Sequence, residues 1–245
     1  MRRLPMMRIN KFLSLCGIAS RRAADDLIRE GRVTVNENPV EGPGLQVGEN
    51  DVVKVDGRLA RPPEKTTVLL FHKPPGCLCS NGDPQGRRTV YDYLPPGYRS
   101  LKYIGRLDLQ SRGLLLFTDD GKLAHALTHP SFQIPRSYFV WTDRPINRHE
   151  AQRLVDGVDI TDEETGVEEM GHAEAIHFQN GFVEMVLTEG KNREIRRMME
   201  AINHTIRDLK RVTYCGISLG DLEAGDFREL SEPEIQKLKK ACNNE

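Results

Sequence analysis

The chain has 245 residues, 38% hydrophobic and 29% charged, with 35 Lys and Arg against 36 Asp and Glu for a net charge of −1. A mean hydropathy of −0.52, with no apolar run near the roughly 20 residues that cross a bilayer, excludes a helical membrane span and predicts one or two globular domains. Near-neutrality excludes a uniformly basic coat for nucleic acid but not a local basic face, and the first 65 residues carry 12 basic against 9 acidic side chains.

The N-terminal stretch MRRLPMMRINKFLSLCGIAS imitates the basic and apolar parts of a secretion signal. It contains Ser14 and Gly17, however, and runs into an amphipathic pattern, so folded structure in the cytosol is expected. Apolar Ile9, Phe12, Leu13 and Leu15 predict a helix from Arg8 to Ile18 ended by Gly17. Ser20 is placed to cap a second helix through Arg29, which Gly31 stops. Val33, Val35, Val40, Val52, Val53 and Val55 alternate around a turn at Asn36–Asn38 and predict short strands. Basic residues cluster on the helix pair of this small module. The Pro pair and charges of LARPPEKT (59–66) read as a linker.

Beyond it, strands are predicted at 68–73, 114–118, 137–142 and 183–190, and helices at 121–129, 193–202 and 231–241. The acidic stretch from Asp159 to Glu169 reads as a solvated loop or hairpin tip. Strands and helices interleave without a regular βαβ rhythm, which predicts an α+β fold. The five cysteines (Cys16, Cys77, Cys79, Cys215, Cys242) are odd in number and lack disulfide spacing, as expected in a reducing compartment. Cys77 and Cys79 have no second ligand pair, and the seven His are scattered, so no metal is expected.

Four segments carry candidate chemistry. In GRLDLQSRGLLLFTDDG (105–121), Asp108 lies between a Gly-Arg turn and an apolar strand. HKPPGCLCSNGDPQGRRTV (72–90) has the Gly and Pro content of a phosphate loop, but GxxxxGK[ST] and GxGxxG are absent, so nucleotide hydrolysis is not supported. Tyr138 in PRSYFV lies on a strand, where it suits base stacking or a core. EGKNREIRRMMEAI (189–202) buries Ile195, Met198, Met199 and Ile202 and leaves Arg193, Arg196 and Arg197 around one end, followed by Arg207, Lys210 and Arg211. Taken singly, each segment has an ordinary structural explanation: a turn, a loop, a core tyrosine, a wet helix face.

In order and spacing together, the segments resemble the bacterial ribosomal-RNA pseudouridine synthases of the RsuA/RluB class. INKFLSLCGIASRRAADDLIREGRVTVNENPV is similar to an S4 RNA-binding domain, HKPPG to the family's first motif, and GRLDLQSRGLLLFTDDG to its catalytic motif. RSYFV, with Arg136 where many members carry Lys, EGKNREIRRMMEAI and LKRVTYCGISLG resemble the remaining motifs. The resemblance implies an S4-like domain over residues 7–60, a linker over 61–66, and a catalytic domain with a mixed, mainly antiparallel sheet over 67–245. It implies isomerisation of uridine to pseudouridine without a cofactor.

By the same resemblance Asp108 is the essential carboxylate, with attack on the sugar, attack on the base and removal of a C2′ proton all open. Arg196 pairs with Asp108, Tyr138 stacks on the base, Leu209 packs beneath it, and Arg106 fills the gap left by the extruded uridine. Lys73, Arg136, Lys191 and Arg193 are expected to contact substrate, and Lys11, Arg21, Arg22 and Arg32 to grip phosphates. The expected partner is ribosomal RNA, bound by a cytoplasmic monomer. The wording of Arg87-Arg88-Thr89-Val90 and TEGKNREIRRM is closest to members acting on 23S rRNA. The alternatives are 16S rRNA, tRNA, or a noncatalytic RNA-binding ribosome-assembly factor.

Overall fold

In a computed structural model of the chain the described residues are 6–63, 65–161 and 166–242. They form two compact units: the N-terminal residues through Thr67 together with Pro96–Lys102 and Thr118–Gly121, and the remainder from Val68 onward.

In the first unit, α1 (Ile9–Leu15) and α2 (Arg21–Arg29) pack over a four-stranded sheet ordered Asn38–Pro39, Val33–Val35, Val53–Val55, Arg58–Leu59. The signal-like stretch is part of this core: Ile9, Phe12 and Leu13 are buried with Ala24, Ile28, Val33, Val47 and Val53. α1 is shorter than its periodicity predicts at both ends: Met7–Arg8 pairs with Gln46–Val47 as a two-residue strand, and the chain leaves the helix at Cys16 ahead of Gly17 (φ +71°). Ser20 caps α2 as expected, its Oγ accepting the Ala23 N–H at 3.2 Å.

The second unit is built on a mixed sheet of nine strands among the described residues. Across it run Ala175–Gln179, Phe182–Leu187, Arg136–Thr142, Ile206–Tyr214, Arg112–Thr118, Val68–Lys73 and Phe227–Glu229, with Lys102–Ile104 and Ile217–Ser218 attached at the side. The pairing of Ile206–Tyr214 with Arg112–Thr118 is parallel. The pairings of Arg136–Thr142 with both its neighbours are antiparallel, as is that of Val68–Lys73 with Phe227–Glu229. Leu114–Phe117 is an unbroken run of fully buried residues, as a strand covered on both faces requires.

Two cores flank the sheet. α3 (Gly121–Thr128) and α6 (Glu232–Cys242) bring Leu123, Leu127, Ile235 and Leu238 against Val68, Leu70, Leu114 and Leu116. α4 (Arg148–Asp156) and α5 (Glu194–Ala201) bring Leu154, Ile195, Met198 and Met199 against Val140, Val183, Met185 and Leu209. At the parallel junction Gly113 (φ +110°) lies opposite Arg211, and a Cβ there would fall 2.6 Å from Arg211 N and nearer still to its carbonyl O. Only glycine fits this approach.

The acidic stretch does not stand free. Val158–Asp159 pairs with Met170–Gly171, Glu169 accepts from Arg197 at 2.6 Å, and residues 162–165 lie outside the described residues. Arg197, expected among the exposed charges of α5, is therefore held by Glu169 and by the Ile160 carbonyl at 2.7 Å.

α4 opens with a reciprocal capping box between Asn147 and Glu150. The Asn147 N–H, then Arg144 and His204, hold the Glu150 carboxyl down at about 2, against an ordinary value of 4.5. Because the folded value lies below the unfolded one, this contribution is complete above about pH 5 and is lost as the pH falls toward 2. Urea midpoints of Glu150→Gln and wild type are accordingly expected to differ most at neutral pH and to converge in acid. A difference independent of pH would mean that the charge of Glu150 contributes nothing.

Candidate active site

The catalytic-motif loop is positioned by buried polar chemistry rather than by apolar packing. Asp108 begins a turn in which its carbonyl accepts the Ser111 N–H at 3.1 Å, just before the strand Arg112–Thr118. Beneath this turn lies Lys73, fully buried at the end of Val68–Lys73. Its Nζ donates to the carbonyls of Pro74 at 3.0 Å, Leu109 at 3.2 Å and Ser111 at 2.8 Å. The Gly76 N–H donates to the Leu109 carbonyl at 2.8 Å, so the HKPPG turn and the Asp108 turn are tied together. Burial pushes the Lys73 pKa down, opposed by nearby groups that include the Asp108 carboxylate. Lys73, expected among the substrate contacts, has all three hydrogen-bonding directions of its ammonium spent under the loop.

Asp108 faces an open cleft of about 450 Å³ lined by residues of its own loop, of the segment 187–191, of the strands Arg136–Thr142 and Ile206–Tyr214, and of the N-terminal end of α5. Across the cleft Arg196, on the first turn of α5, donates from Nε to Asp108 Oδ2 at 3.3 Å and from its other arm to Ser111 Oγ at 3.2 Å. The guanidinium thus clamps the carboxylate and the turn that carries it. Tyr138 is half-buried on the cleft wall rather than sealed in the core, and Leu209 is buried 4% exposed beside it. Arg106 and Arg193 are exposed at the cleft, Arg193 in a left-handed conformation (φ +50°) that turns the chain into α5.

The other expected substrate contacts have different duties. Arg136 lines the cleft but is 9% exposed, donates to the Glu189 and Leu127 carbonyls, and stacks 5.1 Å from the Tyr214 ring centroid. Its role in the structure is to brace the floor. Lys191 also lines the cleft, but its ammonium is engaged by the Met170 carbonyl at 2.6 Å and by Glu189 at 2.5 Å. In the first unit Lys11, Arg21 and Arg22 are exposed. Arg32 is exposed as well, and it makes two bonds to Asp56 and one to Glu30.

Two cleft residues have no role assigned from the sequence. Glu194 is buried with Oε1 lacking a hydrogen bond, though the Lys191 ammonium is 4.0 Å away, and burial raises its pKa. Arg211 is 2% exposed and also carries an unpartnered nitrogen. The one available signal is spacing: Leu209 and Arg211 are two apart on a strand and share a face. Among the described residues no group of three or more His, Cys, Asp or Glu gathers to hold a metal ion, and no helix is long and apolar enough to cross a membrane.

Residues 67–201 match the family model described as RNA pseudouridylate synthase, and residues 7–53 match the S4 domain. An uncharacterised RNA pseudouridine synthase of Aquifex aeolicus is 35% identical over 96% of this chain and 94% of its own length. Proteins named ribosomal large subunit pseudouridine synthase B are 38% identical in Vibrio vulnificus (95% and 74% covered) and 34% identical in Bacillus subtilis (96% and 96%). Among solved structures, a crystal structure of a pseudouridylate synthase superposes with a TM-score of 0.67 at 27% identity, covering 95% of this chain and 99% of that one.

Proposed function

This chain belongs to the RNA pseudouridylate synthase family and carries an S4 domain, and we propose that it converts one uridine of large-subunit, 23S, ribosomal RNA to pseudouridine with Asp108 as the essential carboxylate. The observation that carries the site assignment is the Arg196–Asp108 pair at 3.3 Å, one third exposed at the carboxylate and opening on a cleft beside Tyr138 and Leu209. The reaction breaks the N1–C1′ bond, turns the base, and joins C5 to C1′. It has no net redox or hydrolytic step, so no cofactor is invoked.

In this reading the uridine is extruded from its helix or loop at a cost of a few kcal/mol, with Arg106 taking its place. Tyr138 covers the base and Leu209 supports it from below. Arg196 holds the carboxylate toward the ribose, and Arg193 meets flanking phosphate at the mouth of the cleft. The curated relatives named for the large ribosomal subunit support the choice of RNA, and an rRNA substrate places the enzyme in the cytoplasm. Pseudouridine mapping of rRNA from a deletion strain tests the substrate: loss of one 23S site is expected, and loss confined to 16S rRNA or tRNA overturns it.

The further division of labour is that residues 7–60 grip RNA through phosphates while residues 67–245 do the chemistry. Lys11→Ala, Arg21→Ala and Arg22→Ala are each expected to lower the slope of log K against log salt by about 1. Arg32→Ala should change it less, since that guanidinium is occupied by Asp56 and Glu30. Equal rRNA affinity at every salt concentration after removal of residues 1–60 would refute this division.

A further inference from the structure

The cleft holds more buried positive charge than the Asp108 clamp uses. Lys73 spends its donors on three carbonyls, and Arg136 spends both terminal nitrogens on backbone and on Tyr214. Arg211 does not. Its Nε donates to the Leu114 carbonyl at 2.7 Å and its guanidinium lies 5.0 Å from the Tyr214 ring centroid, but Nη2 is sealed from solvent without a partner. Among the described residues Arg211 has no carboxylate within ion-pair reach. A buried guanidinium with unspent donors is expensive to keep unless something pairs with it during function.

Its surroundings say what that something is. Arg211 is directly opposite Tyr138 across an antiparallel pair, and it is two residues beyond Leu209 on one strand. Both relations place side chains on the same face of the sheet, and all three residues line the cleft with Asp108. The charge is thus beside the slot proposed for the uracil ring.

We propose that Arg211 is a catalytic residue that donates hydrogen bonds to a carbonyl oxygen of the uracil ring and stabilises the anion formed when the ring detaches. When N1–C1′ breaks, the bonding pair leaves with N1 and spreads over the ring carbonyls. The ring turns, C5 supplies a pair to C1′, the C5 proton departs, and N1 takes up a proton, so the sum is an isomerisation. A fixed, buried cation stabilises charge that exists only between the first and second of these events. The inference rests on the proposed siting of the reaction at Asp108, yet it holds for attack on the sugar and for C2′-proton removal alike, since both expel an anionic base.

The test compares RNA carrying uridine at the target with RNA carrying 5-fluorouridine, whose ring leaves as a more stable anion. Loss of the starting nucleoside is followed under single-turnover, saturating conditions by digestion and chromatography. Arg211→Met is expected to slow the uridine substrate on the order of 10²–10³-fold with RNA affinity unchanged, and the fluorinated substrate at least tenfold less. Arg211→Lys should lie between Met and wild type. If Arg211→Met fails to fold by circular dichroism, the uridine-to-fluorouridine ratio is read in Arg211→Lys, where it should shift from wild type in the same direction. A ratio equal to wild type in a folded variant overturns the proposal and leaves Arg211 a structural brace. Asp108→Asn is run alongside: activity surviving in it would refute the carboxylate assignment, whereas the Arg211 ratio is read independently.

Discussion

Asp108→Asn is expected to lower pseudouridine formation on the order of 10⁴-fold or more, while the protein stays folded and binds RNA as before. Asn has the same shape and still offers an oxygen to Arg196, so the clamp geometry survives and only the charge and basicity are lost. Stability should change little. The Asp108 side chain is 32% exposed, and pairs of that exposure contribute roughly 0–1 kcal/mol. Tritium release from RNA labelled at uridine C5, read beside a filter-binding curve and a melting curve, separates the three quantities. Residual release within tenfold of wild type would remove Asp108 from the chemistry. A loss of RNA binding equal to the loss of rate would make it a contact rather than a catalyst.

Arg196 gives a graded companion to that result. Its fork reaches Asp108 and Ser111 together, and a lysine at the same place keeps the charge but cannot bridge both oxygens in one plane. The carboxylate and its turn would then be free to move apart, so the loss in Arg196→Lys belongs to orientation rather than charge.

Much of this arrangement is legible in the sequence where local pattern is the cause. Most helices follow from 3.6-residue spacing, and two of their ends from Ser20 and Gly17; α4, which opens at the Asn147–Glu150 box, is not among the predicted elements. The motif residues Asp108, Tyr138, Arg196 and Leu209 line one cleft. What escapes is chemistry that depends on distant partners. HKPPG looks like a polar loop because nothing nearby tells that Lys73 will meet carbonyls 36 and 38 residues further on. Arg197 looks free until Glu169 arrives on a neighbouring hairpin, and Arg32 looks free until Asp56 does. Gly113 reads as one more glycine in a strand, and only the parallel approach of Arg211 makes it obligatory.

Lys73→Met discriminates most sharply between the reading of Lys73 from sequence and its place in the structure. Were Lys73 a substrate contact, the variant would bind RNA less tightly and fold normally. The structure gives the opposite expectation. Methionine fills a similar volume but leaves the Pro74, Leu109 and Ser111 carbonyls without their shared donor. An unsatisfied buried polar group costs about 1–3 kcal/mol, and partial relaxation of the loop toward water keeps the total near ~2–4 kcal/mol. The relaxation is the damaging step, because Leu109 and Ser111 flank the turn that aims Asp108. A displacement of about 1 Å at a reacting group is enough for a roughly 10²-fold loss. The variant should therefore unfold at lower urea concentration, retain its RNA affinity, and lose on the order of 10²-fold in single-turnover rate at temperatures where it is fully folded. Normal urea stability with weakened RNA binding would return Lys73 to the substrate.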